Sequence, residues 1–132
     1  MSTLPSIRTA LVAATAGLLL SPPLFAVQNE DFNFDTTEDL YQVCSTPPGT
    51  AEAMPAAFGC RAFIEATVQY HDEVSNRQKM KRLICYPATA TIEDGRRAFV
   101  AWAEANKGNT QLMNEQPVVG LVRAMAAAYP CR

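Results

Sequence analysis

Five side chains in this 132-residue chain are best equipped for chemistry: Cys44, Cys60, Cys85, Cys131 and the single histidine, His71. Two readings compete for them. A thiolate with an imidazole beside it would be an activated nucleophile. An even number of thiols in a small exported chain instead closes into structural disulfides. None of the four cysteines sits in a recognisable catalytic motif and each has a potential partner, so the structural reading is preferred and no catalytic residue is expected. His71 is read as lying at the boundary of a helix face. Zinc is not expected either: Cys-x-x-Cys and His-x-x-x-His spacings are missing and the gaps between cysteines are long. No glycine-rich phosphate loop is present, and the neighbouring acids Asp72-Glu73 and Glu93-Asp94 are adjacent along the chain rather than convergent, as acid–base work requires. No cofactor and no metal are therefore expected.

The compartment follows from the first residues. Arg8 precedes a small, apolar stretch from Thr9 to Leu20, then Pro22-Pro23, then Leu24-Phe25-Ala26. This is the order of an export leader, with cleavage expected after Ala26. The apolar stretch is short of the roughly 20 residues that a membrane span needs. Residues 1–26 are thus read as a signal peptide and 27–132 as one domain in the periplasm, with no stable membrane insertion after cleavage. With Arg8 removed, ten basic residues face thirteen acidic ones, a formal charge of −3. Nucleic acid, which demands a basic face, is not an expected partner.

The elements that must position the cysteines read as helices. Thr36 or Thr37 caps a first helix whose apolar face is Leu40, Val43 and Cys44, after an irregular acidic lead-in from Asn29 to Asp35. Pro47-Pro48-Gly49 ends it. A second helix starts near Pro55 and carries Phe58, Cys60, Phe63, Ile64, Thr67, His71 and Val74 at three- and four-residue spacing, up to a polar stop at Ser75 to Arg82. Thr91 and Asp94 form a capping box for a third helix with Ile92, Phe99, Trp102 and Ala103 inside, Trp102 as a core anchor. A fourth helix puts Val118, Leu121, Val122, Met125 and Ala128 on one face. The expectation is an all-α domain of four helices.

Four cysteines can pair in three ways, and sequence alone does not choose. Consecutive helices joined by short loops lie antiparallel. That places Cys44, ending helix one, near Cys60 in the first turns of helix two. It also places Cys85, before helix three, near Cys131, after helix four. The expected bridges are Cys44–Cys60 and Cys85–Cys131, each contributing about 2–4 kcal/mol to a domain with a modest core.

Leu40-Tyr41-Gln42-Val43-Cys44, Cys60-Arg61-Ala62-Phe63-Ile64-Glu65-Ala66, Cys85-Tyr86-Pro87 and Ala128-Tyr129-Pro130-Cys131, in this order, resemble the Rap/Tai family of immunity proteins. The resemblance runs from about Thr37 to Cys131; Ala62 and Ala66 stand where that family often has glycine. It implies a mostly helical periplasmic protein, acting as a homodimer, that protects a bacterium from a peptidoglycan amidase effector delivered by type VI secretion. Inhibition would be stoichiometric, by occlusion of the effector's cleft. Two loops are then the candidate contact surfaces: Asn76 to Arg82, with Arg77, Lys79, Lys81 and Arg82, and Asn106 to Gln116, with Asn109 and Gln111. The rival function is a small periplasmic acid-stress chaperone, which the cluster Glu30, Asp31, Asp35, Glu38 and Asp39 would serve by titrating. An envelope component with a small ligand ranks third.

Overall fold

The computed structural model describes residues 26–77 and 80–132. The leader expected at 1–26 thus lies outside the described residues, except for its last position, Ala26. The order is a 3-10 turn, Asn29–Asn33, then α1 (Thr37–Cys44), α2 (Ala53–Arg77), α3 (Ile92–Asn106), α4 (Thr110–Met113) and α5 (Pro117–Ala128). Among the described residues the one β-type contact is an isolated antiparallel bridge between Ile84 and Pro130.

The starts of α1, α3 and α5 have visible causes. Thr36 accepts from the Asp39 amide while the Asp39 carboxylate accepts from the Thr36 amide, a reciprocal box that satisfies two orphan donors. Thr91 and Asp94 repeat the arrangement at α3, as their spacing anticipates. Pro117 occupies the first turn of α5, where its missing N–H costs nothing. Asp31 accepts from the Gln28 amide at 2.7 Å. Asp31 and Asp39, two members of the acidic cluster, are therefore capping groups.

The lead-in expected to be irregular instead forms the 3-10 turn, closed by Phe34 in the left-handed region at φ 54°. That conformation costs a non-glycine residue about 1–2 kcal/mol. The offset is aromatic: the Phe34 ring lies 5.3 Å from Phe63 and 6.5 Å from Phe32, centroid to centroid, over Gly59.

The core gathers Leu40 and Val43 of α1, Ala56 and Ile64 of α2, Phe99 and Ala103 of α3, Met113 of α4, and Leu121, Ala124 and Met125 of α5, with Ile84 from the α2–α3 connection. α5 packs against both α3 and α1. Its closest approach is at Gly120, where an added Cβ would fall 2.4 Å from the fully buried Thr37 side chain. Thr37 spans the gap: its amide and hydroxyl donate to the Glu115 carbonyl at 2.8 and 3.0 Å, and the hydroxyl also reaches the Gln116 carbonyl at 3.2 Å. Glycine is required there.

Both bridges form as helix order implies, Cys44–Cys60 and Cys85–Cys131, each with 5.0 Å between Cα atoms. Several expectations need correction. The fourth expected helix is preceded by the extra short helix α4, started by the Asn109 side chain accepting from the Leu112 amide. α2 runs on to Arg77, into the expected polar stop at Ser75 to Arg82. Phe58 points outward, 69% exposed, because it falls beside rather than on the Cys60–Ile64–His71 stripe. Val118 and Ala128 also face out; Pro117, Gly120 and Ala124 take their places inside α5. Trp102 is half-buried, at the margin of the core rather than anchoring it.

Candidate functional site

The connection from α2 to α3 carries most of the basic side chains singled out by the sequence, and its position is set by one histidine. His71, expected at a face boundary, is buried. Its Nε2 accepts from the Leu83 and Ile84 amides at 3.2 and 3.3 Å. An atom that accepts two N–H groups holds no proton, so Nδ1 carries it and donates to Asp72 Oδ1 at 3.1 Å. The histidine is a clasp between the end of α2 and the strand-like residues before Cys85. This is a structural use of the imidazole, and all four thiols are consumed in disulfides.

Asp72 is the hub beside it. Arg82 donates to Asp72 Oδ1 at 2.7 Å and the Tyr86 hydroxyl donates to the other oxygen. Partial burial pulls the Asp72 carboxyl upward. The hydrogen bonds from Tyr86 and His71 and the Arg82 charge outweigh it and hold the group below its ordinary 3.8. Desolvation, then the bond to Asp72, raises Tyr86 above the usual phenol value.

The sequence-selected basic residues are therefore not one free patch. Arg77 pairs with Glu73 one turn back, on an exposed face. Arg82 pairs with Asp72 and also donates to Asn76 at 3.3 Å. Lys79 lies outside the described residues. Lys81 is exposed and makes no ion pair among the described residues. Asn109 and Gln111 are exposed on and just before α4. The Ile84–Pro130 bridge and the bond from the Cys85 amide to the Tyr129 carbonyl, 2.9 Å, fix the Lys81–Arg82 segment at the C-terminal end of α5. α4 precedes the N-terminal end of the same helix. The two expected contact segments thus flank α5, separated by the length of a twelve-residue helix, about 18 Å.

Between them lies a surface that the sequence reading missed. Leu83, Val118, Val119, Val122, Arg123 and Ala126 line an open groove of about 460 Å³, with Leu83 54%, Val118 40% and Val119 41% exposed. Its signal was present in α5, whose outward positions are as apolar as its inward ones. A second apolar surface runs along α2, where Met54, Phe58, Ala62, Ala66 and Tyr70 recur every four residues and all are exposed. Elsewhere, the Tyr41 hydroxyl of α1 donates to Glu104 of α3; that bond, burial and the Glu104 charge push the phenol up to about 12.

The family model of Rap1a immunity proteins matches residues 36–131, which begins at the α1 cap and ends at the last cysteine. The chain belongs to the Rap1a immunity protein family. A Rap1a immunity protein works by binding a partner effector protein, which directs attention to exposed surfaces rather than to a reactive centre. Among curated proteins and among solved structures, nothing matches this chain. The matched span contains both disulfides, the His71 clasp and both apolar surfaces, while the 3-10 turn with Phe32 and Phe34 precedes it.

Proposed function

We propose that this protein is a non-enzymatic periplasmic immunity protein that binds and inhibits a peptidoglycan amidase effector delivered by type VI secretion, occluding its active-site cleft. The observation that carries the reading is the family match over residues 36–131. Two features support it. Two disulfides, with no cysteine left free, suit an oxidising compartment, the one in which peptidoglycan is attacked. A stapled scaffold also loses little conformational freedom on binding, which leaves more of the contact energy as affinity.

The same reading includes a homodimer, for which the α2 surface is suited. Paired antiparallel about its centre, α2 would set Phe58 against Tyr70 of a second copy and Ala62 against Ala66, large on large at the rims and small on small where the backbones approach. Phe58→Glu is then expected to convert the dimer to a monomer in sedimentation analysis.

The functional test is protection. Cells that export an amidase effector from the producing strain are expected to lyse, and to survive when this protein is exported with it. The same protein without residues 1–26 should not protect. If the exported protein neither protects against nor forms a complex with any such amidase, the reading is wrong.

A further inference from the structure

We propose that the His71 clasp is a proton-operated latch: uptake of a proton by the ring releases the backbone at Leu83 and Ile84 and exchanges Arg82 for imidazolium on Asp72. The latch goes beyond the immunity reading and does not depend on which protein is bound.

The imidazole sits between unlike neighbours. On one side Nε2 accepts two amides, Leu83 at 3.2 Å and Ile84 at 3.3 Å. On the other, Nδ1 donates to Asp72 Oδ1 at 3.1 Å. The Nε2 lone pair is therefore the one place on the neutral ring where a proton can add. Once it adds, a donor faces two donors and both bonds are lost. The Leu83 amide has water within reach, but Ile84 is fully buried, so its amide is left without an acceptor unless the backbone shifts.

Asp72 pushes in the same direction. Its Oδ1 is shared, with Arg82 donating at 2.7 Å beside His71 at 3.1 Å. While the latch is shut, the guanidinium opposes a second positive charge at that oxygen. The carboxyl is held below its ordinary 3.8, so it is ionised throughout the range in which imidazole titrates. When Arg82 leaves, the carboxylate is free to pair with imidazolium, a charge-assisted bond. The exchange is one for one: a proton comes in and a guanidinium goes out. Other charged groups stand apart from the ring. On α2, Glu73 and Arg77 pair with each other on an exposed face. Among the described residues, no side chain of α3 or α5 comes within hydrogen-bond or ion-pair distance of either nitrogen; Arg96, Arg97 and Arg123 are taken by Glu93, Asp94 and Glu115.

The part that moves is short. Cys85 is tied to Cys131, its amide to the Tyr129 carbonyl, and Ile84 bridges Pro130. With that end pinned, Tyr86 keeps its bond to the other Asp72 oxygen, and opening is confined to the stretch from Lys81 to the Ile84 amide. The open form holds one proton more than the shut form. Opening is therefore favoured as pH falls, by up to about tenfold per pH unit.

The test is hydrogen exchange on the exported protein between about pH 7.5 and 5, above the ordinary carboxylate range and corrected for the intrinsic pH dependence of amide exchange. Exchange at Leu83 and Ile84 is expected to rise at least about tenfold on acidification, with α1 and α3 unchanged. His71→Gln supplies an acceptor that does not titrate and should give a flat profile. Arg82→Gln should start from weaker protection and change less, because the competing cation is gone. Nitrogen-15 chemical shifts of the wild-type ring are a second readout that needs no variant: the proton should sit on Nδ1 at pH 7.5 and on both nitrogens once protection at 83–84 has fallen. Parallel profiles for wild type and His71→Gln would overturn the latch. So would a proton on Nε2 at pH 7.5, or exchange rising equally in α1 and α3. An Arg82→Gln response identical to wild type would overturn the exchange on Asp72.

Discussion

Cys44–Cys60 joins α1 to α2 inside the core, both residues 3% exposed or less, whereas Cys85–Cys131 ties two non-helical stretches at an edge where Cys85 is open to solvent. Chain entropy ranks them by loop length. A separation of 16 is worth about 3 kcal/mol and one of 46 about 4 kcal/mol. Burial ranks them the other way, because the first pair is also packing material. The difference shows two uses for the same bond in one small domain: one staple builds the core, and the other holds the segment carrying Lys81, Arg82 and Leu83 against α5.

The sharpest way to break that comparison is to remove each bridge. Cys44→Ala with Cys60→Ala should cost about 5 kcal/mol, loop entropy plus the cavity left by two sulphur atoms. Cys85→Ala with Cys131→Ala should cost about 4 kcal/mol, nearly all of it entropic. Serine in place of alanine tells packing from tethering. It should cost at least about 1 kcal/mol more at the buried pair, which would gain unsatisfied hydroxyls, and almost nothing extra at the edge pair. Urea unfolding measures all four; equal serine penalties at both bridges would erase the distinction.

Next in size is the seam that closes the core around the buried bridge. Gly120→Ala drives a methyl group into Thr37, a neighbour fixed by three bonds to the turn before α5, and is expected to cost about 3 kcal/mol. Gly95→Ala meets only the flexible end of Met125 and Ile64 Cγ2 at 3.3–3.4 Å, and should stay within about 1 kcal/mol of wild type, since alanine also favours the helix. Similar losses at both glycines would mean that the α1–α5 seam is softer than its hydrogen bonds indicate.

A smaller effect is expected from the clasp at the edge. His71→Ala leaves the Ile84 amide buried without its acceptor, for about 2 kcal/mol, while the Leu83 amide has solvent within reach. Hydrogen exchange should show the loss confined to residues near 83–86, with α1 and the first half of α2 protected as before. Exchange rising equally in α1 would show that the edge is not a separate unit.

These contrasts also mark what the sequence could disclose. The all-α class, a cap at Thr36 or Thr37, the capping box at Thr91, and both disulfides were legible, because caps and helix order are local and cysteines constrain distance. The face of α5 was misjudged by one position, since Gly120 and Ala124 carry little hydrophobic weight while Val118 carries much; small residues mark the close seam and large ones the open side. Phe58 was placed inside for the same reason. The clasp could not be read from His71 alone, because its partners are backbone amides twelve and thirteen residues away, which have no sequence signature. The α5 groove did leave a trace, a helix apolar on every side, and this was taken for a single buried stripe. Among the basic residues of 77–82, Arg77 and Arg82 turned out to be engaged by acids of α2, which charge counting along a segment does not reveal.

The smallest expected effect concerns pH, and it again separates edge from core. Asp72 meets Tyr86, His71 and Arg82, and its folded pKa lies below its ordinary 3.8. A carboxyl depressed on folding contributes stability that is complete above the unfolded value and is lost as pH falls through the folded one. Asp72→Asn should therefore be less stable than wild type by a constant margin at neutral pH, with the margin closing below about pH 4. Its size is modest, because Asp72 is 32% exposed and water screens the pair with Arg82. Urea midpoints for both proteins between neutral pH and the acid limit supply the measurement. A margin that does not change with pH would show that the carboxylate acts there as a neutral hydrogen-bond acceptor only. A margin that closes alongside melting of α1 would join the edge to the core and dissolve the separation between the two staples.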